Sequence, residues 1–292
     1  MRLAALALAA AVAANAAAAE VRLRDDRGVE HVLPEPAQRI VALAPYLTEL
    51  AFAAGAGAKL IGVSAYSDFP PAAAELEVIS DSAHVNLERI VRLKPDLVLA
   101  WRTGNRSRDI AAMEARGERV FVTEPSRLED IPRLLRTIGR LAGTEGAAAE
   151  QAAAIEARFA ALRERYADRS EMRVFYEIWH EPVMTVNGRH YVSAMLALCG
   201  GRNVFADAPP LTPVISREQL LAVDPDAILV SAPPPQAAAM IAAWKRWPSL
   251  RAVKRDALYA IDPVLVNRMG ARVADGAEAL CAALDRARSA AQ

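Results

Sequence analysis

The chain has 292 residues with 35 basic and 35 acidic side chains, a balance that excludes a polycationic surface for gripping nucleic acid. Hydrophobic residues make up 53% of it and aromatic residues only 5%, a globular composition with enough length for two domains that each bury a core.

Taken in order, the first segment reads as an export signal. Arg2 supplies a positive start, Leu3 to Ala14 an apolar run, and Ala17-Ala18-Ala19 a small-residue cleavage site before Glu20. The alternative, an uncleaved anchor, has a run near the lower length limit for spanning and no charge on its far flank. No cysteine follows the small residues, so lipid attachment is not expected there. Cleavage removes Arg2 from the 35 basic groups and leaves 34 against 35 acidic ones, a net charge of −1. The expected product is soluble and exported, most simply to a bacterial periplasm.

Strand and helix signals then alternate, which predicts α/β layers with mainly parallel sheets. Ile40 to Leu43 reads as a strand, Thr48 to Ala54 as a helix capped by Gly55-Ala56-Gly57, and Leu60 to Val63 as the next strand. Asn86-Leu87-Glu88-Arg89 opens a short amphipathic helix that stops at Pro95-Asp96 and enters the buried strand Leu97 to Trp101. A helix from Ala111 to Arg116, a strand at Val120 to Val122 and a helix from Leu128 to Leu141 follow. Thr144 to Tyr166 lacks proline and spaces Ala148, Ala152, Ile155, Phe159, Leu162 and Tyr166 by threes and fours, one apolar stripe on a long helix. At 1.5 Å per residue that helix is a rod of roughly 33 Å, able to cross the back of two lobes and to resist their bending.

Beyond it come a strand at Val174 to Ile178 and a helix at Ser193 to Leu198 that ends in Cys199-Gly200-Gly201. Ser216-Arg217-Glu218-Gln219, with the helix after it and Pro225-Asp226, then repeats the Asn86 segment 130 positions later. A helix near Pro235 to Lys245, a strand at Leu258 to Ile261 and a helix from Asp275 to Ala287 complete the chain. The repeat predicts two similar Rossmann-like lobes, 20–143 and 169–292, joined by the single helix of 144–168 after a signal at 1–19. It also places Glu88 and Glu218 at equivalent corners, as a grip on a two-fold symmetric partner would require. A first-turn carboxylate that merely suits the helix dipole is the plainer reading of either one alone.

Catalytic signals are absent: there is no phosphate loop, no serine elbow and no zinc helix. Gly55-Ala56-Gly57 lacks the third glycine of a dinucleotide fingerprint. His31, His84, His180 and His190 form no metal pair at helical spacing, so no catalytic residue and no metal site is assigned. Aromatic residues instead fall past predicted strand ends, where open α/β sheets bind ligands: Tyr66, Trp101 and Trp179, with Tyr46 beside Pro45 in the first strand-to-helix turn. Such rings suit a large, flat, partly apolar ligand. His180 is either a ligand contact or a solvated loop residue, while Trp244 and Trp247 read as packing. Cys199 and Cys281, an even count in an exported chain, invite a disulfide; two buried thiols are the alternative.

These segments resemble the periplasmic cobalamin-binding proteins of ATP-binding-cassette importers, a branch of the solute-binding proteins whose lobes are joined by one helix. The likeness covers nearly all of the mature chain. It is carried by Arg39-Ile40-Val41-Ala42-Leu43-Ala44-Pro45, Thr48-Glu49-Leu50-Ala51-Phe52-Ala53-Ala54-Gly55, Val63-Ser64-Ala65-Tyr66-Ser67-Asp68-Phe69-Pro70-Pro71, Ala100-Trp101-Arg102, Cys199-Gly200-Gly201-Arg202-Asn203-Val204-Phe205 and the two glutamate segments. The glutamate segments are shared with haem and ferric-siderophore carriers; the Tyr66 and Trp101 segments are more specific to the cobalamin branch. The resemblance implies Pro45, Tyr66 and Trp101 on the first-lobe wall, Glu88 and Glu218 docked on the two subunits of a permease dimer, and Cys199 paired with Cys281. Asp262 and Arg268 join the candidate ligand set on a looser alignment. Where relatives carry a tryptophan six residues before each docking glutamate, this chain has Ser82 and Thr212. The implied protein is a monomeric receptor with cobalamin or a related corrinoid as cargo and no cofactor. A haem or siderophore carrier, using Tyr66 or His180 on iron, and a chelatase-like enzyme on a related fold are the alternatives.

Overall fold

The structure, a computed structural model, describes residues 20–81 and 84–290; the expected export signal and Ser82 lie outside the described residues. An antiparallel hairpin of β1 (Val21–Arg24) and β2 (Glu30–Leu33) leads into β3 (Ile40–Ala42), α1 (Pro45–Ala53), β4 (Leu60–Ser64) and β5 (Val78–Ser80). Then follow α2 (Leu87–Leu93), β6 (Leu97–Trp101), α3 (Ser107–Glu114), β7 (Val120–Thr123) and α4 (Asp130–Ala142). After the long α5 (Glu145–Tyr166) come β8 (Met172–Glu177), α6 (Tyr191–Leu198), β9 (Gly201–Asn203), α7 (Arg217–Val223) and β10 (Ala227–Ser231). The chain finishes with α8 (Pro234–Lys245), α9 (Arg251–Lys254), β11 (Leu258–Ile261), α10 (Pro263–Val266) and α11 (Val273–Ser289).

Two all-parallel sheets result, ordered β5-β4-β3-β6-β7 and β11-β10-β8-β9. Both are covered on two faces, which is why their strands are nearly continuous apolar runs. In the first sheet Ile40, Leu97, Leu99 and Phe121 point to one face, and Val41, Val98, Val120 and Val122 to the other. The second does the same, with Val174, Tyr176 and Leu229 opposed to Phe175, Ile228 and Val230. A period of two thus sorts each strand between two cores.

The repeat is structural as well as textual. Asn86 and Ser216 cap α2 and α7 through side-chain oxygens that accept from Arg89 N (3.0 Å) and Gln219 N (3.2 Å). Each helix stops at a left-handed residue, Lys94 or Asp224, before its Pro-Asp pair. Asp96 and Asp226 then accept from the backbone N–H of Arg39 (3.0 Å) and Arg173 (3.0 Å), and these two arginines donate to the last carbonyls of the helices. The same lock therefore joins β3 to β6 and β8 to β10.

α5 buries the six residues of the expected stripe, Ala148, Ala152, Ile155, Phe159, Leu162 and Tyr166. It packs on α1 and α4 on one side and on α6 and α11 on the other, and one apolar cluster runs from Leu47 through Phe159 to Leu280. Arg158 adds ion pairs to Asp275 (2.6 Å) and Glu278 (2.7 Å). A core shared across the crossing resists hinge motion, because opening it would expose apolar surface on both lobes. Cys199 and Cys281 form a disulfide, Cα to Cα 4.9 Å, between the end of α6 and α11.

Several boundaries differ from expectation. The helix expected at Thr48 begins at Pro45, whose fixed φ suits the first helical position. The helix expected at Leu128 begins at Asp130, because that carboxylate accepts from Ser126 N and Arg127 N (both 2.9 Å) and holds the preceding residues in a turn. The expected cap at Gly55 is present with φ +78°, where a side chain would be strained. The three- and four-residue β1, β2, β5, β9, α9 and α10 are too short to leave a period in the sequence.

Candidate ligand-binding cleft

The carboxyl ends of both sheets open on one junction. Residues that follow β3 and β4, namely Glu49, Asp68 and Phe69, touch Arg268 and Arg272, which follow β11. Around this bridge the candidate wall residues fall into two kinds, those that offer surface and those that support it.

On the first lobe Pro45 is half-buried at the start of α1. Tyr66 projects with 75% of its surface exposed and has a left-handed backbone, φ 64°, uncommon for a bulky residue. Its neighbours fix that turn: Ser67 Oγ lies 3.0 Å from Thr48 Oγ1 and 3.2 Å from Ser64 Oγ. Trp101, half-buried, closes β6; its backbone N–H donates to Asn105 Oδ1 (2.7 Å), and its ring covers Gly104 so closely that a Cβ there would clash. Tyr46 is a correction. It is only 6% exposed, its hydroxyl is 2.6 Å from Thr123 Oγ1, and its ring meets Trp101 edge-on at 5.8 Å. Burial pushes its phenol pKa up, and its place is behind the wall, supporting Trp101.

On the second lobe Trp179 stands 59% exposed after β8, its indole N–H donating to Glu181 O (2.8 Å). A recess of about 360 Å³ beside it is lined by Trp179, His180, Ser231, Pro233, Gln236 and Met240. His180 is anchored from behind rather than loose: its Nδ1 lies 2.7 Å from Glu177 Oε1, and Glu177 Oε2 accepts from Trp244 Nε1 (2.8 Å). Burial pushes the Glu177 carboxyl pKa up, against the lowering effect of those two partners. Trp244 is thus packing with one polar duty, as its helical position suggests. Asp262 is exposed, but its Oδ1 accepts from Val264 N (2.8 Å) and caps α10. Arg268 is part of the inter-lobe bridge, with its Nη1 2.7 Å from Asp68 Oδ1 and 3.5 Å from Glu49 Oε1. Among the described residues no three His, Cys, Asp or Glu side chains converge to hold a metal ion.

Glu88 and Glu218 are exposed in the first turns of α2 and α7. Hydrogen bonds from its own backbone N–H and from Ser216 hold the Glu218 carboxyl below its ordinary pKa, so it is charged at neutral pH. Thr212, at the expected tryptophan position, is exposed near Leu211 and Val214, which are 49% and 59% exposed.

Sequence reading missed Glu49, Phe69 and Arg272. Glu49 carried a signal: it is a lone carboxylate inside the apolar run Leu47 to Ala54, a position with no dry neighbour to neutralise it unless a cation arrives from elsewhere.

The profile of the periplasmic binding protein family matches residues 40–265, most of the chain. The chain belongs to that family. Among curated members it is 36% identical over 249 residues to the vitamin B12-binding protein of Vibrio cholerae serotype O1, covering 85% of this chain and 89% of that one. It is 36% identical over 255 residues to the vitamin B12-binding protein of Photorhabdus laumondii, covering 87% and 90%. Of solved family structures, the periplasmic vitamin B12 binding protein of Vibrio cholerae superposes with a TM-score of 0.80 at 35% identity, over 87% of this chain and 98% of that one. The periplasmic haem-binding protein of Roseiflexus sp. RS-1 in its apo form gives 0.74 at 25% identity, over 87% and 99%. The two-lobed α/β architecture expected from the repeat is thus the architecture of the family.

Proposed function

We propose that this protein is a periplasmic receptor that captures cobalamin or a related corrinoid between its lobes and delivers it to an inner-membrane ABC importer. The observation that carries this is the 36% identity over 249 residues to a vitamin B12-binding protein, against 25% to the haem-binding structure of the same fold. The cleft supports it: Tyr66 and Trp101 on one side and Trp179 on the other are the broad apolar faces a corrin ring needs, and the fixed core behind α5 keeps them apart. On this reading the lobes span 20–143 and 169–292 around the helix of 144–168, a monomer binds one ligand, and Glu88 and Glu218 each engage one permease subunit. The receptor uses no catalytic residue and no cofactor.

Titration of the purified protein with cyanocobalamin and with haemin, followed by calorimetry and absorbance, tests it. Cyanocobalamin is expected to bind at one site per chain. Tight haemin binding without corrinoid binding would overturn the assignment, with His180 or Tyr66 as the iron ligand to pursue.

A further inference from the structure

We propose that Glu49, Arg268 and Arg272 form an inter-lobe clasp that fixes the width of the cleft and holds the Tyr66 loop in place. None of the three is assigned a ligand contact by this role; they are positioning residues. Glu49 lies in α1 with its side chain 2% exposed, so its charge needs compensation. Among the described residues that compensation comes from the other lobe. Arg272 reaches it with two bonds, Nη2 to Oε1 at 2.7 Å and Nε to Oε2 at 3.2 Å, and Arg268 adds Nη1 at 3.5 Å. A forked arginine on a dry carboxylate fixes both distance and direction. The backbone between the two arginines is equally close, since a Cβ on Gly270 would lie 2.6 Å from Glu49 Oε2.

The same arginines also hold the loop that carries Tyr66. Arg268 pairs with Asp68 Oδ1 at 2.7 Å, and the Arg272 guanidinium lies 4.0 Å from the centre of the Phe69 ring. On its other flank Ser67 is tied to Thr48 and Ser64. The loop that begins at Tyr66 is therefore anchored twice, at Ser67 from its own lobe and at Asp68 and Phe69 from across the cleft. The left-handed backbone of Tyr66 is a conformation that persists only where the surroundings over-determine it. The clasp is made of protein groups alone and needs no cargo to complete it, so it pre-organises the cleft, and pre-organisation shows mainly in how slowly a ligand leaves.

Two variants and two readouts test this. Glu49→Gln keeps the shape but removes the shared carboxylate, leaving Arg268 its pair with Asp68 and Arg272 its contact with the Phe69 ring; Asp68→Asn breaks the outer pair at an exposed carboxylate and leaves Glu49 still paired with both arginines. Spin labels on cysteines at the equivalent exposed positions Glu88 and Glu218 report lobe separation without any ligand. The expected result is a broader, longer distance distribution for Glu49→Gln and a parental mean for Asp68→Asn. Both should release cyanocobalamin faster, by about tenfold for Glu49→Gln, with little change in association rate. If Glu49→Gln does not fold, Arg268→Gln takes its place, with a smaller widening expected. The affinity arm rests on the corrinoid reading and the distance arm does not, so a parent that fails to bind cyanocobalamin sinks the ligand assignment alone. Parental distances in every folded variant would overturn the clasp.

Discussion

Trp101→Ala is expected to weaken cyanocobalamin binding by 5- to 150-fold, roughly 1 to 3 kcal/mol. The figure follows from how the ring is held. One face lies against Gly104 and Tyr46 meets the ring at a right angle, so about half of the ring is taken as left for a ligand. A buried tryptophan covers 150 to 250 Å², and half of that is about 100 Å². At about 25 cal/mol per Å² the ligand-facing half contributes about 2.5 kcal/mol. Isothermal titration gives the dissociation constant, and a thermal melt of the empty protein gives the part lost from folding, where Trp101 packs against the core. Trp101→Phe should recover most of the affinity because a flat apolar face remains. A folded Trp101→Ala protein with the parental dissociation constant would refute the reasoning and move the ligand away from the end of β6.

Three further outcomes are expected. Glu88→Ala and Glu218→Ala should impair vitamin uptake in cells while leaving solution affinity intact, charge reversal should be worse, and docking should weaken with salt; normal uptake through the double mutant at matched protein level would reduce both to helix-start residues. Reduction of the Cys199–Cys281 disulfide, with 82 residues of separation, should lower the melting temperature by the equivalent of at most roughly 4.5 kcal/mol without abolishing binding. Parental melting under reductant, with both thiols alkylated, would contradict this. His190 is held neutral, its pKa lowered by burial to about 4 from 6.5, while its Nδ1 accepts from Val192 N (3.2 Å) to cap α6. The unfolded chain therefore binds the extra proton first, and stability should fall as pH drops below about 6.5, by about 2 kcal/mol near pH 5, and level off near the folded pKa. His190→Asn, which retains a capping oxygen, should flatten that slope in melts between these pH values; an unchanged slope would remove His190 as its source.

The sequence by itself determined most of the architecture. The alternation of apolar strands with amphipathic helices, the duplicated segment at Asn86 and Ser216, and the stripe from Ala148 to Tyr166 are periodic and local, and each follows from backbone geometry that needs no distant partner. Tyr66, Trp101 and Trp179 were legible as wall candidates for a similar reason, since the end of a strand can be read from the strand. What only the tertiary structure decided is which side chains meet. Tyr46 lies next to Pro45 in the chain, yet the direction of α1 turns it inward onto Thr123, which no local pattern reveals. His180 owes its fixed position to Glu177 and to Trp244, a residue 64 positions away on α8. The bridge of Glu49 to Arg268 and Arg272 spans more than 200 positions and exists because two sheets of separate origin in the chain bring their carboxyl ends to one junction. Periodicity is a property of neighbours along the chain, whereas compensation of a buried charge depends on the packing of the whole molecule.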